Sequence, residues 1–192
     1  MRAAYQRTGE RAGRPAADLA YDLLLEGDGR EILYFPLHNY TEQSLDAARE
    51  MMTHADTVSG LGDGGAHVGT ICDASFPTYA LTHWGRDRAR GRFALPWLIK
   101  RQTSDTAAAV GLLDRGLVRP GMKADLNVID FARLRLRRPY IVRDLPAGGR
   151  RLMQTAEGYV ATVVSGAVTY RDGEPTGALP GTLVRGAKPW RT

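Results

Sequence analysis

The pattern of apolar residues changes near residue 120, and this change limits the folds open to the chain. Before it, helical patterns at 16–25 and 41–54 alternate with short apolar runs at 31–37 and 57–62. Helices and strands that alternate at this spacing are typical of a parallel α/β sheet or barrel. We therefore predict that the two apolar runs are parallel neighbouring strands, connected by the second helix as a right-handed crossover.

After residue 120 the sequence takes on the pattern of β-strands. Helical segments are expected over 93–113, with a break near Thr103, and extended runs separated by turn-forming dipeptides follow them. The extended runs are 124–130, 159–165 and 167–170, and the dipeptides are Ser165-Gly166 and Asp172-Gly173. We expect these runs to form a sheet of their own. Because two strands and two helices cannot close a parallel sheet, the first half is expected to be a piece of a larger domain.

The composition excludes several classes of protein. Of the 192 residues, 43% are hydrophobic and 24% are charged, as in an ordinary globular protein. No stretch approaches the roughly 20 apolar residues of a membrane span, and the basic N-terminus lacks the apolar core of a secretory signal. The single cysteine, Cys72, excludes an internal disulfide and fits a reducing compartment. These features predict a cytoplasmic protein with no membrane partner.

The net charge of +5 comes from an excess of arginine, since only three of the 26 basic residues are lysine. The densest basic run, RLRLRR at 133–138, would place Leu134 and Leu136 on one side of an extended segment and arginines on the other. We interpret it as an edge strand protected by charge rather than as a nucleic-acid site. A second run, RDRARGR at 86–92, is interpreted as a solvated loop or one that faces a phosphate or carboxylate. No nucleic-acid partner is predicted.

Asp63 has the best position for catalysis. It directly follows the predicted strand at 57–62 and stands among glycines, and the functional groups of α/β barrels gather at the C-terminal ends of strands. An Asp-Gly turn explains the same position equally well. His38 follows the first predicted strand, and His67 lies four residues after Asp63.

The residues alone do not assemble a complete metal site. The four histidines (His38, His54, His67 and His83) show neither H-x-H nor H-x-x-x-H spacing, by which one strand or helix offers two nitrogens to a metal. Cys72 is interpreted as a small packed hydrophobe rather than as a ligand or nucleophile. The sequence also lacks a nucleophile elbow, a phosphate loop and a dinucleotide fingerprint.

Several motifs, taken in order, resemble the amidohydrolase superfamily. The run DGGAH at 63–67 is similar to its eighth-strand aspartate segment, and LDRGLVRPGMKADLNVID at 113–130 is similar to the segment that leads from the barrel into a small β-sandwich. Three later motifs resemble the N-acyl-D-amino-acid deacylase (D-aminoacylase) branch: VSG at 164–166, DGEPTG at 172–177 and PGTLVR at 180–185. The resemblance covers the chain from about residue 16 onward.

This resemblance implies an α/β fold followed by a β fold. Residues 1–118 would be the last units of a TIM-like (β/α) barrel with the helices that follow, and 119–192 would be C-terminal strands of a small β-sandwich with a terminal wrap. The H-x-H pair that such enzymes carry on their first barrel strand is missing from this sequence. The run SFPT at 75–78 stands where D-aminoacylases commonly have H-P-R, so the arginine that would meet a substrate carboxylate is missing as well.

The resemblance also implies a zinc-dependent hydrolase that cleaves a non-peptide C–N bond in an N-acyl amino acid or a related amide. Asp63 would be both metal ligand and general base, His67 would contact the substrate, and Arg86 or Arg88 would replace the missing arginine. Because most zinc ligands are missing, we expect the chain alone to be incomplete or inactive, and to assemble with a complementary N-terminal chain or a second copy. The alternative is a non-catalytic binding or assembly module of the same fold, since an incomplete barrel exposes apolar edges.

Overall fold

The structure is a computed structural model. It describes residues 13–34, 42, 44–60, 62, 68–70 and 73–189. The chain divides into two compact units, Met1–His54 and Ala55–Thr192. The predicted domain boundary at residue 118 differs from this division and stays a prediction.

In its described residues the first unit has the helices α1 (Ala16–Gly29) and α2 (Asp46–Thr53). Helical backbone geometry in α1 is interrupted from Glu26, where ψ is 154°, and Gly27 has a φ of 57°. The regular part of α1 therefore ends where the sequence predicted, because the glycine adopts a left-handed conformation at no steric cost.

The second helix is shorter than the predicted segment 41–54. It begins at Asp46, whose backbone N–H donates to the Ser44 hydroxyl oxygen at 3.3 Å. Thr41, the predicted N-cap, lies outside the described residues. The hydroxyl of Ser44 instead satisfies one of the backbone donors that a helix leaves unpaired at its start.

The two predicted parallel strands are not formed in the residues that the structure describes. Residues 31–34 and 57–60 and Gly62 carry no strand pairing, and the rest of the two runs, 35–37 and Leu61, lies outside the described residues. The Thr57 carbonyl oxygen accepts instead from the guanidinium of Arg101. In a strand this carbonyl oxygen would accept a hydrogen bond from the backbone of a neighbouring strand, whereas here the donor is a side chain. The parallel pair, the barrel and the β-sandwich stay predictions.

The second unit begins with a series of short helices. Gln102 ends one helix and Ser104 begins the next, because Thr103 between them has φ −127° and ψ −90°. This confirms the predicted break near Thr103. The helical elements are a 3₁₀ turn (Asp73–Ser75), α3 (Phe76–Tyr79), a π-helix (Ala80–Asp87), α4 (Leu95–Gln102) and α5 (Ser104–Ala109).

Antiparallel sheets occupy the rest of this unit. Its strands are β1 (Leu126–Ile129), β2 (Arg135–Leu136), β3 (Tyr140–Leu145), β4 (Gly149–Met153), β5 (Ala156–Glu157), β6 (Tyr159–Val164), β7 (Ala167–Arg171) and β8 (Glu174–Pro175). They form a four-stranded sheet of order β1-β6-β7-β8 and two ribbons, β2-β5 and β3-β4. The separate sheet predicted for the second half is confirmed.

Both predicted hairpin turns are also confirmed. Ser165 and Gly166 join β6 to β7 with φ values of 50° and 83°, and Asp172 and Gly173 join β7 to β8 with 51° and 88°. Two successive residues with positive φ give the turn whose twist matches that of a β-hairpin. The local sequence therefore sets this part of the sheet.

Within the basic run at 133–138, the structure forms a strand only at β2 (Arg135–Leu136), and Arg133 lies in the turn before it. Leu134 is fully buried, with 0% of its surface exposed, whereas Arg135 and Arg137 are exposed and both pair with the carboxylate of Glu157 on β5. The segment is thus held by an apolar side chain on one side and by ion pairs on the other. None of the described helices is long and apolar enough to cross a membrane.

The core of the second unit lies between the helices and the turn that precedes β2. Its buried apolar side chains in the described residues are Leu81, Trp84, Leu98, Ala107 and Leu134. Gly158 makes this packing possible, because a Cβ atom built on it would lie 2.6 Å from the Cα of Leu134. The backbone before β6 therefore approaches the backbone before β2 more closely than any side chain allows.

We predict that Gly158→Ala destabilises the protein more than Gly173→Ala does. Both glycines have positive φ, 95° and 88°, so each alanine meets the left-handed penalty of about 1–2 kcal/mol. Only Gly158 adds a clash with backbone, since nothing lies within 4 Å of a Cβ on Gly173. Chemical denaturation of the two variants measures the difference, and an equal loss of unfolding free energy would contradict the close approach to Leu134.

Candidate functional site

The predicted catalytic segment is described only at its margins. Asp63, His67, His38 and Cys72 lie outside the described residues, so their predicted roles stay predictions. On either side of the segment, Gly62 and Asp73 are in close contact: a Cβ on Gly62 would lie 2.7 Å from the Asp73 carbonyl oxygen. Gly62 and Asp73, which flank the segment, therefore lie next to each other.

A second contact ties this segment to the β3-β4 ribbon. The backbone N–H of Leu152 on β4 donates to the carbonyl oxygen of Val68 at 2.6 Å. β4 pairs with β3 along its other edge. The edge of β4 that faces away from β3 therefore lies beside Val68.

The guanidinium of Arg86, the predicted substrate ligand, is half-buried and is held by acceptors of the fold. Its Nη1 donates to the Phe131 carbonyl oxygen at 2.6 Å and its Nη2 to that of Leu134 at 2.8 Å. Its Nε donates to Oδ1 of Asp87 at 2.6 Å. Two longer bonds, from Nη1 to the Ala132 carbonyl (3.3 Å) and from Nη2 to Asp87 (3.2 Å), engage the two remaining N–H groups. A substrate carboxylate would have to displace one of these acceptors, and the contact with substrate stays a prediction.

The pKa values of Arg86 and Asp87 shift in the directions expected for an ion pair. The hydrogen bond from Arg86 holds the pKa of the Asp87 carboxyl below its usual range, and the Asp87 carboxylate raises the pKa of Arg86. The Arg86 guanidinium also lies over the Phe131 ring, with its carbon 5.5 Å from the centroid. Arg86 therefore fastens the end of the π-helix to the turn between β1 and β2.

A row of aromatic rings runs through the helices next to Arg86. Tyr79 stacks on His83 at 4.8 Å, and the edge of His83 meets Trp84 at 5.1 Å. Trp84 continues to Phe93 at 5.7 Å, which stacks on Trp97 at 4.3 Å. Tyr79 and His83 stand four residues apart in helical residues, the spacing at which helical side chains meet, and this is the signal by which part of the row could have been predicted.

Two arginines extend the row with cation–π contacts. The guanidinium carbon of Arg88 lies 4.5 Å from the centroid of Trp84, and that of Arg101 lies 5.5 Å from that of Trp97. Such contacts are typical of arginine, whose planar group stacks on aromatic faces. Part of the basic run at 86–92 thus packs against the helices.

His83 is the titratable group of this row. Within the described residues its Nε2 is buried and has no hydrogen-bond partner. Burial lowers the pKa of His83, and the nearby charge of Arg88 lowers it further. The imidazole is therefore held neutral at pH values where an exposed histidine begins to gain a proton.

The motif at 113–130 forms an ion-pair cluster at the start of the sheet. Arg115 donates through Nε to Asp114 at 2.8 Å, and its Nη1 lies 3.8 Å from Asp125. Lys123 also binds Asp125, at 2.5 Å, and the Asp125 carboxylate accepts from the backbone N–H of Ser165 at 2.8 Å. These contacts connect the chain entering β1 with the turn after β6, which is a structural role.

The described residues do not supply a metal centre. Among residues 13–34, 42, 44–60, 62, 68–70 and 73–189 there is no group of three His, Cys, Asp or Glu side chains that could hold a metal ion. A catalytic zinc takes three protein ligands. Any such site would need residues beyond this part of the chain.

Comparison with known proteins identifies a family. The sequence model described as "Amidohydrolase family" matches residues 22–170, which include both the segment of Asp63 and the ion-pair cluster. No curated protein and no solved structure matches the chain. The match confirms the superfamily that the motifs resembled, and the D-aminoacylase branch stays a prediction.

We predict that Arg86→Met lowers the free energy of unfolding by about 2–3 kcal/mol, because partly buried carbonyl oxygens lose their donors. Arg90→Met is the matched control, since Arg90 is exposed and lies on the loop after the π-helix. Chemical denaturation of both variants checks this. If Arg86→Met is as stable as Arg90→Met, the guanidinium does not fasten the π-helix.

We predict that His83 makes the folded protein sensitive to acid. Because burial lowers its pKa in the folded state, the unfolded chain takes up the proton first as the pH falls below about 6.5. Stability is thus present above that pH and declines below it. Thermal unfolding at pH 7.5 and 5.5 should show a smaller loss for His83→Phe, which keeps the ring contacts, than for the wild type. An equal loss in both would contradict the prediction.

Proposed function

Since the chain belongs to the amidohydrolase family, we propose that it acts in the metal-dependent hydrolysis of a non-peptide C–N bond. The substrate class would be an N-acyl amino acid or a related amide, as in the D-aminoacylase branch. The observation that carries the proposal is the family match over residues 22–170, which spans the predicted catalytic segment. The motifs at 164–166, 172–177 and 180–185 support the branch.

In the proposed reaction, water adds to the amide carbonyl carbon and the C–N bond breaks. The products are a carboxylic acid and a free amine. The carboxylate of Asp63 takes a proton from the attacking water and passes it to the leaving nitrogen. When bound, a zinc ion would polarise the carbonyl and lower the pKa of the water.

Zinc is proposed with Asp63 as one ligand, and the other ligands would come from outside the described residues. His67 is proposed as a substrate contact because it lies four residues after Asp63. The proposal places both residues in the segment that returns to the fold at Asp73.

A partner would complete the site. We propose a complementary N-terminal portion that carries the H-x-H strand, or a second copy of the chain. Exposed apolar side chains support this, since Val128 on β1 is 52% exposed and Val118 and Leu179 are 86% and 94% exposed. The same exposure also favours the alternative function, a non-catalytic assembly module of this fold.

We predict that the chain alone binds zinc weakly and does not hydrolyse N-acetyl-D-methionine. Mixed with the complementary portion and zinc, it should gain turnover, and Asp63→Asn should reduce that turnover about 100- to 10,000-fold because asparagine cannot accept the proton. Zinc content and the rate of acetate release measure both.

Size-exclusion chromatography of the mixture serves as the control for assembly. Wild-type turnover by the Asp63→Asn assembly would show that Asp63 is a turn residue. Turnover by the chain alone with one bound zinc would instead show that it is complete, with His38, His67 and Cys72 as the next candidate ligands. Assembly without turnover would favour the non-catalytic module.

A further inference from the structure

We propose that the loop at 114–123 and the C-terminal tail at 182–188 form a binding site for a small amphiphilic anion. Such a ligand carries one acid group on a short apolar chain. A cavity of about 410 Å³ lies between the two segments, and this volume is within the range of small-molecule sites. Binding there would need no metal and no residue of the predicted catalytic segment.

Backbone hydrogen bonds hold the walls of this cavity. The N–H of Leu113 donates to the carbonyl oxygen of Lys188, and the N–H of Lys188 donates to that of Gly111, both at 2.8 Å. At the base of the loop, the N–H of Lys123 donates to the carbonyl oxygen of Asp114 at 2.8 Å. The tail and the loop are therefore fixed by the main chain, and the cavity belongs to the fold.

Positive charge predominates around the cavity. Arg115, Lys123 and Lys188 line it together with one carboxylate, that of Asp114. Asp125 adds a second carboxylate beside it, through the ion pair with Lys123. Three cations with two carboxylates favour an anion over a cation as the ligand.

Lys188 supplies the charge that is left for a ligand. Two N–H groups of Arg115 already donate to the two oxygens of Asp114, and the Lys123 ammonium donates to both oxygens of Asp125. Lys188 forms no ion pair in the part of the chain that the structure describes. The pKa of Asp114 is lowered chiefly by the hydrogen bond from Arg115 and also by the charge of Lys188, so this ammonium lies near the Asp114 wall.

Apolar side chains complete the lining. Met122, Leu183 and Val184 belong to it, and Leu183 and Val184 are 74% and 38% exposed. An apolar chain that covers them would remove this surface from water, which is favourable. A ligand that combines the chain with an acid group should therefore bind better than one that has either part alone.

The test uses three probes, hexanoate, acetate and hexan-1-ol, titrated into the full chain labelled with ¹⁵N. We expect hexanoate to shift the backbone amide signals of Met122 and Leu183 in NMR spectra. It should bind about ten-fold more tightly than either other probe, because acetate lacks the chain and hexan-1-ol lacks the charge.

Lys188→Gln should weaken hexanoate binding about ten-fold and leave hexan-1-ol binding unchanged. Arg185→Gln is the matched control, because it removes the same charge from an exposed residue of the same tail that does not line the cavity. It should bind hexanoate as the wild type does. If Lys188→Gln changes the amide spectrum before ligand is added, Lys188→Met, which keeps the apolar stem, should show the same ten-fold loss.

Three results would overturn the proposal. One is hexanoate binding that leaves the amides of Met122 and Leu183 unshifted, or no binding of hexanoate at all. The second is acetate or hexan-1-ol binding as tightly as hexanoate. The third is an equal loss of hexanoate binding in Arg185→Gln and Lys188→Gln, which would show attraction to the net charge of the chain rather than a site.

Discussion

The fold of the second unit depends on the hydrogen bonds that the Arg86 guanidinium makes to main-chain carbonyl oxygens. These oxygens belong to the turn between β1 and β2, so one side chain connects the helices to the strands. One of these carbonyls belongs to Leu134, whose side chain is fully buried. Loss of this contact would remove the charged donor from these carbonyl oxygens and also the support of the turn that carries the buried leucine. The packing of the helices against the strands therefore depends on it.

The π-helix positions Arg86 for its contacts with the turn between β1 and β2. The Arg88 N–H donates to the carbonyl oxygen of His83 at 3.0 Å, five residues back, so this turn is wider than an α-helical one. Gly85, next to Arg86, lets this turn approach the partner elements, since a Cβ there would lie 3.1 Å from Leu98 and 3.5 Å from Phe131. Gly85 thus allows the π-helix to approach its neighbours closely, and Arg86 binds it to the turn between β1 and β2.

Local signals in the sequence predicted local structure well. The hairpin dipeptides, the end of α1 and the break at Thr103 follow from the backbone preferences of one or two residues, and each was confirmed. Pairing between distant segments was harder to predict. Arg86 binds carbonyl oxygens 45 and 48 residues away, and main-chain acceptors leave no mark in the sequence. The prediction that Arg86 binds the substrate was based on its charge, and the sequence does not show these acceptors.

Several arginines of this basic chain make contacts that a lysine could not make. Arg115 and Arg151 each donate two hydrogen bonds to one carboxylate, and Arg86 donates to one carboxylate and three carbonyl oxygens. A lysine ammonium has no planar fork and cannot make these two-point contacts. These arginines therefore serve contacts within the fold, and their abundance is not by itself a sign of a nucleic-acid partner.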